Sequence, residues 1–331
     1  MVARAPEKFL QVLRRLGIMK NINVLVGHAA LLIVDDDKFI YTDFGRYITP
    51  KGYGRARSAK TDPKLEIRTK PKWSEDGELT NLEEVFSEME GNKNATHGEN
   101  ELYASLMYNV DISKAKDYIN QIQEMGYIPY SGLKKKDSNC ARFITNIMLA
   151  SVDKKSRIYK RLSRPITIAP TPFFNVLAGN DEGNYFVYYE GKLNVHQDNY
   201  KFSRKDVLNK LSYSFRKSKA KLLPSDIQEG QIAEPSTMPD IKSNVTYLGG
   251  IGEGAWYSID KLDGQVLQVS RYYRNGEYEY TNSFELDADW SESIRKEEAT
   301  IIHDSHFAWV TLYNKLTQNR RRFYAVKHGG N

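Results

Sequence analysis

The sequence predicts an α+β protein that ends in a small antiparallel β domain, and three observations carry that prediction. Over the first half of the chain, short apolar strand-like segments alternate with segments of helical period. Beyond residue 244 strongly alternating segments take over, and Asn275-Gly276 between two of them is a strong short-range hairpin signal. A mostly polar, proline-bearing stretch, residues 218–243, separates the two textures as a linker.

Taken in order, Phe9, Val12, Leu13 and Leu16 fall at helical spacing and Gly17 closes that segment. Residues 24–34 read as one apolar strand, 35–38 as a turn and 39–47 as a second strand, a hairpin carrying His28 and Asp43. The Gly- and Arg-rich residues 50–62 read as a loop, and 65–69 as a third strand. Asn81 and Glu84 have the spacing of a capping box on a helix through Met89, and Ser113 is the expected cap of the next helix, ended by Gly126. Asn139 can cap a helix that starts at Cys140 and puts Phe143, Ile144, Ile147 and Met148 on one face. Prolines between 165 and 172 mark the end of the first domain, and residues 185–195 read as a hairpin. Segments 266–273, 277–284, 300–303, 307–313 and 323–326 supply strands at the end. The expected division is therefore 1–165, a bridging hairpin, helix and linker over 166–243, and a β domain over 244–331.

Composition narrows the function classes. With 48 basic and 42 acidic residues the formal charge is +6, dispersed rather than blocked, so no nucleic-acid partner follows. The N-terminus lacks the apolar core of a signal peptide, and no run approaches the roughly 18 apolar residues of a membrane span. A cytoplasmic protein is the expectation. One cysteine among 331 residues excludes an intrachain disulfide. His303-Asp304-Ser305-His306 lacks a metal-ligand pattern, and the glycine spacing of residues 249–254 does not fit a dinucleotide loop, so neither metal nor cofactor is expected.

Chemistry concentrates on three residues. Cys140 in the first turn of a helix faces the positive end of its dipole, which favours thiolate, and Lys134-Lys135-Lys136 would push the same way if folded close. A lone cysteine is otherwise a core filler. His28 in an apolar segment needs partners for two ring nitrogens, and Asp43 across the hairpin can take one, leaving the other for the thiol. The plain alternative is a solvated Asp43 paired with Arg46. His97 and Glu99 could line the same cleft. Arg55 and Arg57 could bind a substrate carboxylate or phosphate through their planar forks.

Gly27-His28-Ala29-Ala30-Leu31, Tyr41-Thr42-Asp43-Phe44-Gly45 and Ser138-Asn139-Cys140, in that order, resemble the circularly permuted NlpC-type papain-fold cysteine hydrolases. The chain is also similar to an uncharacterised bacterial family in that group, through Asp43–Tyr47, Gly54–Ser58, Thr61-Asp62 and His97–Glu99. The resemblance covers about the first half of the chain. It implies a papain-like catalytic domain in which Cys140 is the nucleophile, His28 the base and Asp43 the third polar residue. It also implies that Tyr130 helps stabilise the oxyanion, with Tyr47 as an alternative phenol. Two departures stand out: Asn139 replaces the usual aspartate, and the glycine pair after the tyrosine is reduced to Ser131-Gly132. The implied substrate contains an amide, peptide or ester bond. A lipid acyltransferase or thioesterase, and a non-catalytic binding protein that keeps the fold, are the rival readings. Nothing in the sequence speaks to oligomeric state.

Overall fold

Four strands build the sheet that carries the candidate site: Ala30–Asp35, Lys38–Gly45, Tyr53–Arg57 and Tyr127–Pro129, adjacent in that order and all antiparallel. This architecture comes from a computed structural model. It describes every residue except 1, 5–7, 22, 26, 97–100, 133, 166–168, 181–182, 198–208, 211, 224–233, 238, 242–244, 252 and 327–331. The register sets Ala30 opposite Asp43 and Asp43 opposite Arg57, so a carboxylate and a guanidinium share one cross-strand row.

Period-two alternation assigns the two faces of this sheet. Phe44 joins Ile119, Phe143, Ile147 and Phe174 in a core beneath the helices Ile112–Glu124, Cys140–Ser151 and Pro172–Ala178. That core includes Phe174 and Ala178, so it extends past residue 165. On the other face Phe39 and Tyr41 pack with Leu65, Val85, Phe86 and Tyr188. This second core is covered by the helix Leu82–Gly91 and by a sheet of Leu102–Ala104, Asn184–Tyr189 and Lys192–Gln197.

Several local expectations give way. The single strand over 24–34 is two strands: Asn23–Leu25 pairs with Val2–Arg4 in its own sheet, and the chain from 27 to 29 is irregular, so His28 precedes the sheet strand. Residues 50–62 contain the strand Tyr53–Arg57, whose arginines are buried because each meets a carboxylate. Residues 65–69 form no strand, since the Glu88 carboxylate takes the N–H groups of Arg68 and Thr69 in place of a ladder partner. Asn81 accepts from the Lys72 N–H and donates to Lys70 O and Glu84, leaving its helix without a side-chain cap. Asp111 caps Ile112–Glu124 by accepting from the Lys114 N–H, where Ser113 was expected.

The C-terminal part is an antiparallel sheet of Val245–Gly249, Gly254–Asp263, Val266–Tyr273 and Tyr278–Glu285, and a second of Ala299–Ile301, Trp309–Asn314 and Arg320–Tyr324. Gly276 has φ +88° in the Asn275-Gly276 turn, a conformation that costs glycine little. Tyr257, Leu267, Phe284, Val310, Leu312 and Phe323 form its core.

Candidate active site

Asn139 starts the construction. Its side-chain oxygen accepts from the Arg142 N–H and its amide donates to Ser131 O, which caps the helix and ties it to the preceding loop. Cys140 is thereby the first residue of the helix, half-buried, with its sulfur receiving the N–H groups of Ala29 and Ala141. The adjacent Arg142 guanidinium donates to the carbonyls of Ser131, Lys134 and Asp137, so the loop before the helix is held from inside.

His28 stands between the helix and the sheet, its side chain 15% exposed. Its Nε2 lies 2.9 Å from Asp43 Oδ2 and 3.1 Å from the Tyr47 hydroxyl. The ring also hydrogen bonds the Cys140 side chain. With Nε2 taken by Asp43 and Tyr47, Nδ1 is the ring nitrogen left for the sulfur.

Asp43 is fully buried and carries far more than the histidine. Its Oδ2 accepts from Tyr41 and Tyr47, each at 3.0 Å, and Arg57 forks onto both oxygens at 3.0 and 2.7 Å. Arg57 also sits 3.5 Å over the Tyr47 ring, a cation–π contact that orients the phenol. Burial opposes ionisation of Asp43, but the Arg57 charge and the His28 and Arg57 hydrogen bonds outweigh it and hold the carboxyl well below the usual range. Burial likewise opposes charge on His28, yet the bonds to Asp43 and Cys140 and their charges raise it to about 9. The Cys140 thiol shifts down: desolvation is overcome by the bond to His28, the His28 charge and the two N–H groups. The Lys134-Lys135-Lys136 run is exposed. Together these shifts favour a thiolate–imidazolium pair.

The other expected site residues divide. Tyr47, the alternative phenol for the oxyanion and an expected substrate contact of the resemblance, is 7% exposed, with its hydroxyl turned onto Asp43 and His28. Arg57 is committed to Asp43 and Arg55 to Asp62, in bidentate pairs with neither arginine more than 5% exposed, so neither fork is open to a substrate anion. Asp43 is not a solvated partner of Arg46, whose guanidinium lies 5.1 Å over the Tyr130 ring. Tyr130 stacks on Phe44, with centroids 6.1 Å apart, and its ring packs against the first core. His97 and Glu99 lie outside the described residues. Tyr41 was missed by sequence reasoning, although its position two residues before Asp43 on a strand places both side chains on one face.

His303 Nε2 donates to Gly249 O, and His306 is buried against Trp309 with Nδ1 taken by the Ala308 N–H, so both serve the β domain. No helix among the described residues is long and apolar enough to cross a membrane.

Two family models match separate parts of the chain. No curated protein and no solved structure matches it. Residues 245–324 match the family described as the DUF6695 C-terminal domain. Residues 1–157, which hold Cys140, His28 and Asp43, are similar to the family described as type VI secretion system effector TseH-like.

Proposed function

We propose that the chain is a cysteine hydrolase of amide bonds, acting as a secretion-system effector. The observation that carries this reading is one imidazole bonded on one side to a buried carboxylate and on the other to a thiol at a helix start. In the proposed reaction the Cys140 thiolate attacks the substrate carbonyl and forms a carbon–sulfur bond. The oxyanion meets the backbone N–H of Cys140 itself at the start of the helix, which has no intrahelical acceptor. His28, already protonated, gives its proton to the leaving amine as the carbon–nitrogen bond breaks. Water then attacks the thioester with its proton passing to His28, which restores thiolate and imidazolium and releases a carboxylic acid. Asp43 and Tyr47 keep the ring in one orientation throughout. Similarity to a family of secretion-system effectors supports delivery out of the producing cell, in place of cytoplasmic residence.

The test is iodoacetamide labelling of Cys140 between pH 5 and 9, alongside a panel of peptidyl and acyl aminocoumarin amides. The reading expects labelling that is already near its plateau at pH 6 to 7, and amide turnover that disappears in Cys140→Ala. Labelling that rises only around the ordinary thiol pKa of about 8.5, or turnover that survives Cys140→Ala, would refute it.

A further inference from the structure

Within the glycine-rich residues 249–254, Gly250 makes a specific close approach to the first domain. A Cβ on Gly250 would lie 2.2 Å from the Ile48 nitrogen and 2.7 Å from its Cα, so only glycine lets these two backbones meet. Ile48 itself is the unusual partner. It adopts φ +38°, a left-handed conformation that β-branched residues rarely take. Its side chain leaves the first domain altogether and is buried in the core of the β domain with Leu248 and Leu286.

The residue before Ile48 is Tyr47, whose hydroxyl touches His28 and Asp43. A second connection reaches Tyr47 from the same direction. Arg55 Nε donates to Tyr47 O, Arg55 forks onto Asp62, and Asp62 lies 3.3 Å from Arg271 Nη1 of the β domain. Arg271 in turn donates to Glu253, whose carbonyl receives the Gly250 N–H at 2.6 Å. The turn at 47–48 is therefore tied to the β domain by backbone contact, by its own inserted side chain and by a buried ionic chain that runs through Arg55 and Asp62 to Arg271. A left-handed isoleucine persists only where its surroundings over-determine it, and here those surroundings are the β domain.

We infer that the C-terminal β domain completes the candidate active site, gripping the Tyr47-Ile48 turn through Gly250 and so holding the Tyr47 hydroxyl against His28 and Asp43. Tyr47, Ile48 and Gly250 are positioning residues. The inference rests on the cysteine-hydrolase reading, because its consequence is a change in thiol reactivity.

The experiment uses the full chain and three variants. Gly250→Val forces the two backbones apart, Ile48→Gly accepts the left-handed backbone while deleting the anchor, and Tyr47→Phe removes only the hydroxyl. Each is checked for folding by circular dichroism and then labelled with iodoacetamide across the same pH range. The expected result is that all three move the apparent thiol pKa upward and slow labelling at pH 6, by as much as about 100-fold for a misplaced site. If Gly250→Val does not fold, Ile48→Gly decides. Folded Ile48→Gly with the parent pH profile overturns the inference while leaving the hydrolase reading intact. An ordinary thiol profile in the parent protein overturns both.

Discussion

Two buried ionic clusters meet at the strand Tyr53–Arg57, one through Arg57 and the other through Arg55, and are built on opposite plans. At the candidate site one carboxylate, Asp43, is surrounded by donors from His28, Tyr41, Tyr47 and Arg57. At the seam between the two parts of the chain, three carboxylates (Asp62, Glu253 and Glu279) share two guanidiniums, Arg55 and Arg271. The first cluster has more donors than it needs, and the second has more negative charge than it can neutralise. Seam alignment is also poorer: Arg271 Nε is 3.1 Å from Glu279 Oε2 but not oriented to bond it, and Glu253 Oε2 is unpaired. Excess donors fix the orientation of an acceptor, which suits a site. Excess charge with loose alignment fixes contact between two bodies and leaves each side able to titrate.

The sharpest way to break this comparison is to remove the ring that the first cluster orients. His28→Ala should slow turnover, and labelling of Cys140 at pH 6, by about 10²–10⁴-fold, the usual contribution of a positioned base. The fold should be kept, because Asp43 retains Arg57 and both phenols. An effect below tenfold in a folded variant would mean that the donors around Asp43 serve packing alone.

Next in size is the difference between the two arginines. Arg271→Met leaves three carboxylates to Arg55 and should cost about 3–5 kcal/mol in urea unfolding at pH 8, the range for breaking a buried pair. Arg57→Met should fall at the lower end, about 3 kcal/mol, since Asp43 keeps three other donors. Equal costs would remove the distinction between donor-rich and charge-rich clusters.

The pH dependence separates them further. His28 is raised to about 9, so its contribution to stability is present below its unfolded value near 6.5 and is lost as pH rises through 9. Asp43 is depressed, so its contribution is present above the usual carboxylate range and is lost as pH falls below it. Glu279 has the opposite sign: burial raises its pKa, with the Asp62 and Glu253 charges adding to the effect despite Arg271, so ionising it destabilises the fold. Glu279→Gln should therefore gain stability in urea unfolding at pH 8, where the wild-type carboxylate is ionised, and gain nothing at pH 4. A uniform effect at both pH values would show that the seam carboxylate is neutral throughout.

These contrasts also explain what the sequence could reveal. The grouping of His28, Asp43 and Cys140 was legible because local signals carry it. A hairpin brings the first two together, and an asparagine before an apolar helical face marks the third. The β domain was legible from alternation and from Asn275-Gly276. The arginines were not, because a strand bearing Arg55 and Arg57 looks solvent-facing until their carboxylates are known. The second arginine on Asp62, Arg271, lies 209 residues away, beyond any local pattern. The role of Gly250 was hidden for the same reason, since the backbone it accommodates belongs to another part of the chain. Residues 65–69 failed as a strand because the Glu88 side chain substitutes for a ladder, a replacement invisible to periodicity.

The smallest expected effect concerns a residue that belongs to neither cluster and positions the thiol without any charge. Asn139→Ala removes the cap on Arg142 and the bond to Ser131 O, and should cost about 1–2 kcal/mol, read by thermal or urea unfolding. Asn139→Asp should cost less, because a carboxylate accepts the same N–H, favours the helix N-terminus and loses only the donor to Ser131. Its reactivity should move the other way. A negative charge one residue from Cys140 disfavours thiolate, so labelling at pH 6 should slow relative to the parent while stability changes little. If Asn139→Asp instead matches the parent in both measurements, the neutral cap has no bearing on the thiol, and reactivity is set by His28 and the N–H groups of Ala29 and Ala141 alone.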